Sequence, residues 1–352
     1  MRSCSRQLSF CIIIVTIFIC IVELSKWSSC GLDQTPKPSH DFCLDGFLES
    51  TRAGANVGDV MFELMSFISL AYDTNRAPVM TDVATKEGVE KILKVYPEIS
   101  RYLFNAHNAS YCSCPNLVIV QNKKCCSHDS SLDQYISKQR ETTIQVKFSN
   151  SKSYKYFDSF PKELLNIFFT STATVGFHAG HQLFKETKDS RYFRRNLCVH
   201  VHRSHNKKIL NNAYSKADFT IAALSHMISL ESFESKVDIY VMTNDLPWAQ
   251  MLFTNFKRTY IAEIDERDRP TVGWEFSRRF CDKVLLTSTM SSYGWWLAYL
   301  SRGQMAFYDG DSTTYEAFHS QITPSHYWLP KWMALKYLPS NKQVIPIVLQ
   351  DV

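Results

Sequence analysis

Between residues 195 and 310 the chain alternates short apolar runs with longer amphipathic ones, and this alternation restricts the fold more than any other feature. The runs "LCVHVHR", "VDIYVMT", "KVLLTS" and "QMAFYDG" read as strands. Between them, "ADFTIAALSHMISLES", "LPWAQMLFTNFK" and "SSYGWWLAYLS" read as helices. Such a βαβ series predicts a mostly parallel sheet with helices on both faces and ligands gathered at the carboxyl ends of the strands. In the first half, "AGANVGDVMFELMSFISLAYDTNRAPVM" sets a glycine-containing turn before Val60, Met61, Leu64, Phe67, Ile68 and Ala71, which recur at helical spacing. A loop that feeds a helix N-terminus presents unpaired N–H groups and partial positive charge, a ready anion site. Many α/β proteins have glycine turns that hold nothing, so the turn alone identifies no ligand. The stretch from Lys147 to Lys188 shows no clear period and is read as containing the linker between two halves.

With 352 residues, 45% of them hydrophobic and 21% charged, the chain has enough apolar material for two globular domains and no bias toward disorder. The formal charge of +5 is spread thinly. It gives a nucleic-acid role no support, although it suits a phosphorylated ligand. Before the folded part, Arg2 and Arg6 precede an apolar run from Leu8 to Val22. That run is shorter than the roughly 20 residues an average bilayer needs, yet long enough for a thinner early-secretory membrane. The expected plan is a cytosolic tail (1–7), a signal anchor (8–24), a polar stem (25–42) and lumenal domains at 43–188 and 189–352. A signal peptide cleaved near "SSCG" is the competing reading of the same run.

Cysteine usage fits a lumenal setting, where disulfides persist. Outside the apolar run lie Cys30, Cys43, Cys112, Cys114, Cys125, Cys126, Cys198 and Cys281. The close pairs in "YCSCPNLVIVQNKKCC" lack the usual C-x₂-C spacing of a zinc site, so they read as bridges, of unknown connectivity. Asn108 begins a glycosylation sequon, Asn108-Ala109-Ser110.

Three strand ends in the second half carry polar residues where such a sheet collects them: "HVHRSH", "MTNDLPW" and "TSTMSSYGWW". In the last, Ser291 or Ser292 falls at the N-cap of a helix, so hydroxyls and N–H groups converge. Taken one at a time, each has a plain structural explanation as cap, core or turn. Together with Asn56-Val57-Gly58-Asp59-Val60-Met61-Phe62-Glu63 they form an ordered set. That set resembles the α-1,2-fucosyltransferase family (glycosyltransferase family 11), especially its divergent invertebrate members. The family's motifs run approximately G-L-G-N-Q-M-F-E, H-V-R-R-G-D, S-D-D-x-x-W and S-T-F-x-W-W-A-A-Y-L. Here the matching segments are the first-half stretch above, His200-Val201-His202-Arg203-Ser204-His205, Thr243-Asn244-Asp245-Leu246-Pro247-Trp248, and Ser291-Ser292-Tyr293-Gly294-Trp295-Trp296-Leu297-Ala298-Tyr299-Leu300. "CDKVLL" and "LPKWMAL" also look like family counterparts.

The resemblance implies a GT-B type α/β protein of two Rossmann-like domains. It implies transfer of L-fucose from GDP-fucose to a galactose hydroxyl of a glycan, with inversion and without an essential metal or cofactor. The protein would be anchored in the Golgi membrane with its catalytic part in the lumen. Negative charge builds on the leaving diphosphate, and guanidinium groups, hydroxyls and helix N–H donors must meet it. The residues implied at the chemistry are Arg203, His202 and Asp59. Those implied at the donor are Gly58, His200, Asn244, Asp245, Ser291, Ser292 and Tyr293, with Tyr293 packing on the donor as the family's phenylalanine does.

Two departures stand out. His202 replaces the first of the family's paired arginines, giving up a permanently charged fork for a single donor unless the imidazole is protonated in a mildly acidic lumen. Asp59 puts an acid where the family has asparagine. The runner-up reading is therefore a catalytically impaired relative that binds a glycan or nucleotide in the lumen. A zinc site on His200, His202 and His205, with His178 or His181 adding ligands, is a third. Asp59, Glu63 and His205 all stand as candidate bases. "DGD" at Asp309 to Asp311 resembles the acidic motif of metal-dependent transferases but is better explained as a turn after a strand.

Overall fold

The computed structural model describes residues 43–51, 56–103, 117–122, 126–140, 143–149, 151–181, 194–203, 214–232, 237–264, 270–311, 322–349 and 351. The anchor and stem, Cys30, Cys112, Cys114, Cys125, Asn108, Ser204 and His205 fall outside them, as does the His181 side chain. Among the described residues no helix is long and apolar enough to cross a membrane.

The first half folds as β1 (Cys43–Leu48), α1 (Val57–Asp73), β2 (Ala77–Val79), α2 (Val83–Val95), α3 (Pro97–Tyr102), β3 (Leu117–Asn122), α4 (Ser130–Lys138) and β4 (Thr143–Phe148). Its four strands are parallel in the order β2-β1-β4-β3. Helix α1 starts where the Asn56 side chain accepts from the N–H groups of Gly58 and Asp59 at 2.9 and 3.1 Å. It ends at Thr74 and Asn75, the latter at φ 51, where the chain turns into β2. Almost every α1 position from Gly58 to Ala71 is buried, as expected of a helix apolar all round and covered on all sides.

Next come α5 (Lys162–Phe168) and α6 (Ala173–His181), preceded by a 3₁₀ turn at Tyr154–Tyr156. The described part of the region read as a linker is thus folded. Phe157, Phe160, Phe168 and Phe169 lie in the core, and α6 packs against a helix of the second half. Aromatic residues at irregular spacing fill gaps between other elements, which is why no period was legible.

The second half contains β5 (Arg195–Val201), α7 (Ala217–Ser229), β6 (Val237–Thr243), α8 (Leu246–Leu252), β7 (Thr259–Glu263) and α9 (Pro270–Phe280). It continues through β8 (Lys283–Leu286), α10 (Ser292–Tyr299), β9 (Met305–Asp309), α11 (Pro324–Tyr327), β10 (Met333–Leu338) and β11 (Gln343–Ile347). The sheet order is β11-β10-β9-β8-β5-β6-β7, parallel except for the closing β10–β11 hairpin. The expected mostly parallel sheet is present. Strands β7, β10 and β11 and helix α9 were not read from sequence. β7 is a half-exposed edge strand with little apolar signal, and α9 is the helix on which α6 rests.

Helix α10 joins the two halves. Trp295 and Trp296 are wholly buried, with their ring centroids 4.5 and 5.2 Å from Phe62 of α1. The indole N–H of Trp296 donates to the Gly58 carbonyl at 3.0 Å. A second joint is made by α11: the Ser153 hydroxyl donates to the His326 carbonyl at 2.6 Å, and the His128 N–H to His326 Nδ1 at 3.0 Å. A disulfide links Cys198 on β5 to Cys281 after α9, and Cys43 is also disulfide-bonded.

Candidate functional site

After β5 the chain runs outward through β6 and β7, then returns to lay β8, β9 and β10 on the other side. The crevice outside the carboxyl ends of β5 and β8 is therefore the topological switch point, where doubly wound sheets bind ligands. Both strands end in residues singled out from sequence: His200 to Arg203 after β5, and the run from Thr287 to Ser292 after β8.

A chain of hydrogen bonds closes the base of the crevice. The His202 N–H donates to Ser215 Oγ at 2.9 Å, Ser215 Oγ lies 2.6 Å from Thr287 Oγ1, and the Thr287 hydroxyl donates to the His200 carbonyl at 2.8 Å. Because the Thr287 hydrogen is committed to His200, the Ser215 hydroxyl is the donor between them. Ser215 also orients Arg203, whose Nη1 donates to the Ser215 carbonyl at 2.9 Å. The Arg203 backbone is clamped by Asn244, which accepts from its N–H and donates to its carbonyl, both at 2.7 Å. Its guanidinium lies 4.8 Å from the Trp248 ring centre, a cation–π contact. Its Nε is buried and has no hydrogen-bond partner among the described residues, although such a group ordinarily finds one.

On the other wall two helix starts meet. A Cβ on Gly58 would lie 2.5 Å from Ser292 C and Tyr293 N, so only glycine lets the first turns of α1 and α10 touch. Ser291 caps α10 by accepting from the Gly294 N–H at 3.1 Å, and the Ser292 hydroxyl donates to Asn56 Oδ1 at 2.8 Å. Gly294 in turn faces His200, since a Cβ there would come 2.5 Å from His200 Nδ1. Beside this contact, Lys152 Nζ lies 2.9 Å from Asp59 Oδ1, with both side chains 17% exposed.

Gly58, His202, Arg203, Ser291 and Ser292 are thus brought to one crevice, with Asp59 at its rim, while His200, expected at the donor, is fully buried against Tyr293 and Gly294. Other expected roles change. Asn244 and Asp245, expected at nucleotide or sugar hydroxyls, instead hold Arg203 and cap α8, the latter by accepting from the Trp248 N–H. Tyr293, expected to pack on the donor, is fully buried between His200 and Trp274, with ring centroids at 5.8 and 5.4 Å. Glu63, a candidate base, is also fully buried and accepts from the Ser50 N–H and hydroxyl at 3.0 and 2.8 Å, so it pins the turn after β1. His200 sits in the sheet 6.3 Å from His202, centroid to centroid, and no group of three His, Cys, Asp or Glu side chains among the described residues could hold a metal. "DGD" forms the turn read for it, with the Asp311 N–H donating to Asp309 Oδ1.

Ser215 and Lys152 were not found from sequence, and Thr287 stood out only as part of the polar strand end after β8. Ser215 and Lys152 stand in segments without periodicity, and only the pairing of distant strands gives them meaning.

Two parallel, doubly wound sheets with facing helix starts and an arginine waiting at the switch point define the GT-B-like class of α/β protein, suited to an anionic ligand. No protein-family model matches the chain. Among curated proteins, a *Caenorhabditis elegans* protein named as a glycosyltransferase is 24% identical over 96% of this chain and 97% of its own. A galactoside 2-α-L-fucosyltransferase of the same organism is 22% identical over 79% and 76%, and another is 26% identical over 40% and 41%. At 22% and 26% identity, the chain is similar to these galactoside 2-α-L-fucosyltransferases. Among solved structures, the fucosyltransferase NodZ from Bradyrhizobium aligns with 75% of this chain and 94% of its own at TM-score 0.46 and 12% identity.

Proposed function

We propose that this protein transfers L-fucose from GDP-fucose to a galactose hydroxyl of a glycan in α-1,2 linkage, with inversion and without a metal. The observation that supports it most is the Arg203 guanidinium, held on one nitrogen and one face while its buried Nε–H has no partner among the described residues. A diphosphate oxygen would satisfy that donor, and its affinity for the group grows as negative charge builds on the leaving GDP. The Ser291–Ser292 helix start lies across the same crevice, the geometry a charge-receiving site needs. The relatives named as galactoside 2-α-L-fucosyltransferases support the fucosyl group and the linkage. The Cys198–Cys281 disulfide suits a Golgi lumen, and the apolar run at 8–24 suits a type II anchor.

The test is turnover of GDP-fucose on galactose-terminated glycans with chelator present. Fucosylated product is expected, with a loss on the order of 100-fold in kcat for Arg203→Ala. Product formed by Arg203→Ala at the wild-type rate would remove Arg203 from the chemistry. A second reading, a non-catalytic nucleotide- or glycan-binding protein of the lumen, is favoured by His202 standing where the family has arginine. Binding of GDP-fucose without turnover, together with turnover gained in His202→Arg, is the result that reading expects.

A further inference from the structure

The first sheet also has a switch point. β1 leads through α1 to β2, whereas β4 has its partner β3 on the opposite side, so the crevice lies beyond the ends of β1 and β4. Asp59 is in the first turn of the helix that follows β1, and Lys152 is in the segment that follows β4. Their 2.9 Å ion pair spans this second crevice. Asp59 is next to Gly58, the residue in contact with the first turn of α10, so the pair faces the donor crevice across that helix start. Ser151, adjacent to Lys152, is fully buried, and its hydroxyl has no hydrogen-bond partner among the described residues.

The family's asparagine at this position is neutral, and an aspartate near an approaching diphosphate is repelled by it. Lys152 removes that objection by balancing the charge. Its Nζ lies 2.9 Å from Oδ1, which is buried and makes no aligned hydrogen bond, and Oδ2 has no hydrogen-bond partner among the described residues. From this geometry, and resting on the transferase reading above, we propose that Asp59 is the base that deprotonates the acceptor hydroxyl and that Lys152 is its positioning residue. The acceptor O–H bond breaks and its proton passes to Asp59 Oδ2. The acceptor oxygen bonds to fucose C1 while the C1–O bond to the β-phosphate breaks, and GDP departs with the electron pair. Base and leaving-group clamp then come from different halves, as backside attack requires.

The experiment compares wild type with Asp59→Asn, Lys152→Met, Lys152→Arg and the double variant Asp59→Asn/Lys152→Met, using GDP-fucose and galactose-terminated glycans. Calorimetric binding of GDP-fucose is measured for each. Asp59→Asn is expected to lower kcat by about 10²–10⁴-fold with donor affinity unchanged. Lys152→Met lowers kcat with donor affinity unchanged, and Lys152→Arg restores it. Because lysine acts through the aspartate, the double variant should be no slower than Asp59→Asn alone. Wild-type kcat in Asp59→Asn, or additive losses in the double variant, overturns the proposal. Wild-type protein that fails to bind GDP-fucose overturns the transferase reading itself, and the base assignment with it.

Discussion

At Arg203 the backbone N–H and carbonyl are both tied to one amide, that of Asn244, while the guanidinium rests on Trp248 and donates to Ser215. Few rotamers remain to be frozen when an anion arrives, so the ordering cost of binding falls largely on folding. Trp248 supplies a face that no aliphatic residue can replace, and an exposed cation–π contact of this kind contributes about 0.5–1 kcal/mol, more when desolvated. Trp248→Leu is therefore expected to weaken GDP binding several-fold, while Trp248→Phe retains most of it. Calorimetry with GDP decides, and equal affinity in all three proteins would deny the stacking any role.

At the scale of elements, the contact between α1 and α10 depends on Gly58. A methyl group there would meet backbone atoms at 2.5 Å, and backbone cannot swing aside as a side chain can. Gly58→Ala gains about 1 kcal/mol of helix propensity. Against this, overpacking typically costs 1–3 kcal/mol, and the bond from Trp296 to the Gly58 carbonyl would be strained as well. The net effect is expected to be destabilising, read as a lower urea midpoint with an unchanged slope. The helical run from Val60 to Ala71 and the cap at Ser291 were visible in sequence, because apolar spacing and capping residues are local. That the two helix starts meet was not visible, since the bond from Ser292 to Asn56 spans a sequence separation of 236.

At the scale of the molecule, α11 and the start of α4 clasp the two halves through a cluster of titratable groups. Burial, then His326 and Lys155, hold His128 below the usual histidine range, and Asp129 opposes them. Burial, then Asp73 and Asp129, push Asp133 up to about 6. A histidine with a lowered folded pKa leaves the unfolded chain binding more protons, so its share of stability is lost as pH falls below its unfolded value. An acid raised to about 6 acts in the opposite sense, its share growing as pH falls from 6 toward its unfolded value. Between pH 6.5 and 4 the two partly offset each other. Asp133→Asn removes one of them, so its stability should decline more steeply than wild type on acidification. Urea melts at pH 7.5, 6.5 and 5.5 compare the slopes, and parallel slopes would contradict it.

Sequence alone determined the parallel second sheet, the capped helix at Ser291, the helix from Val57 and the set of residues resembling a fucosyltransferase. Each of these is written in local periodicity, capping chemistry or short motifs, which neighbours along the chain express by themselves. The tertiary structure decided which motif residues reach the crevice. Tyr293 and Glu63 are taken into the core and Asn244 becomes a brace, while Ser215 and Lys152 join the site from unmarked stretches. The reason is that a side chain's surroundings are set by strand order and by the meeting of the two halves, long-range contacts that no local pattern encodes.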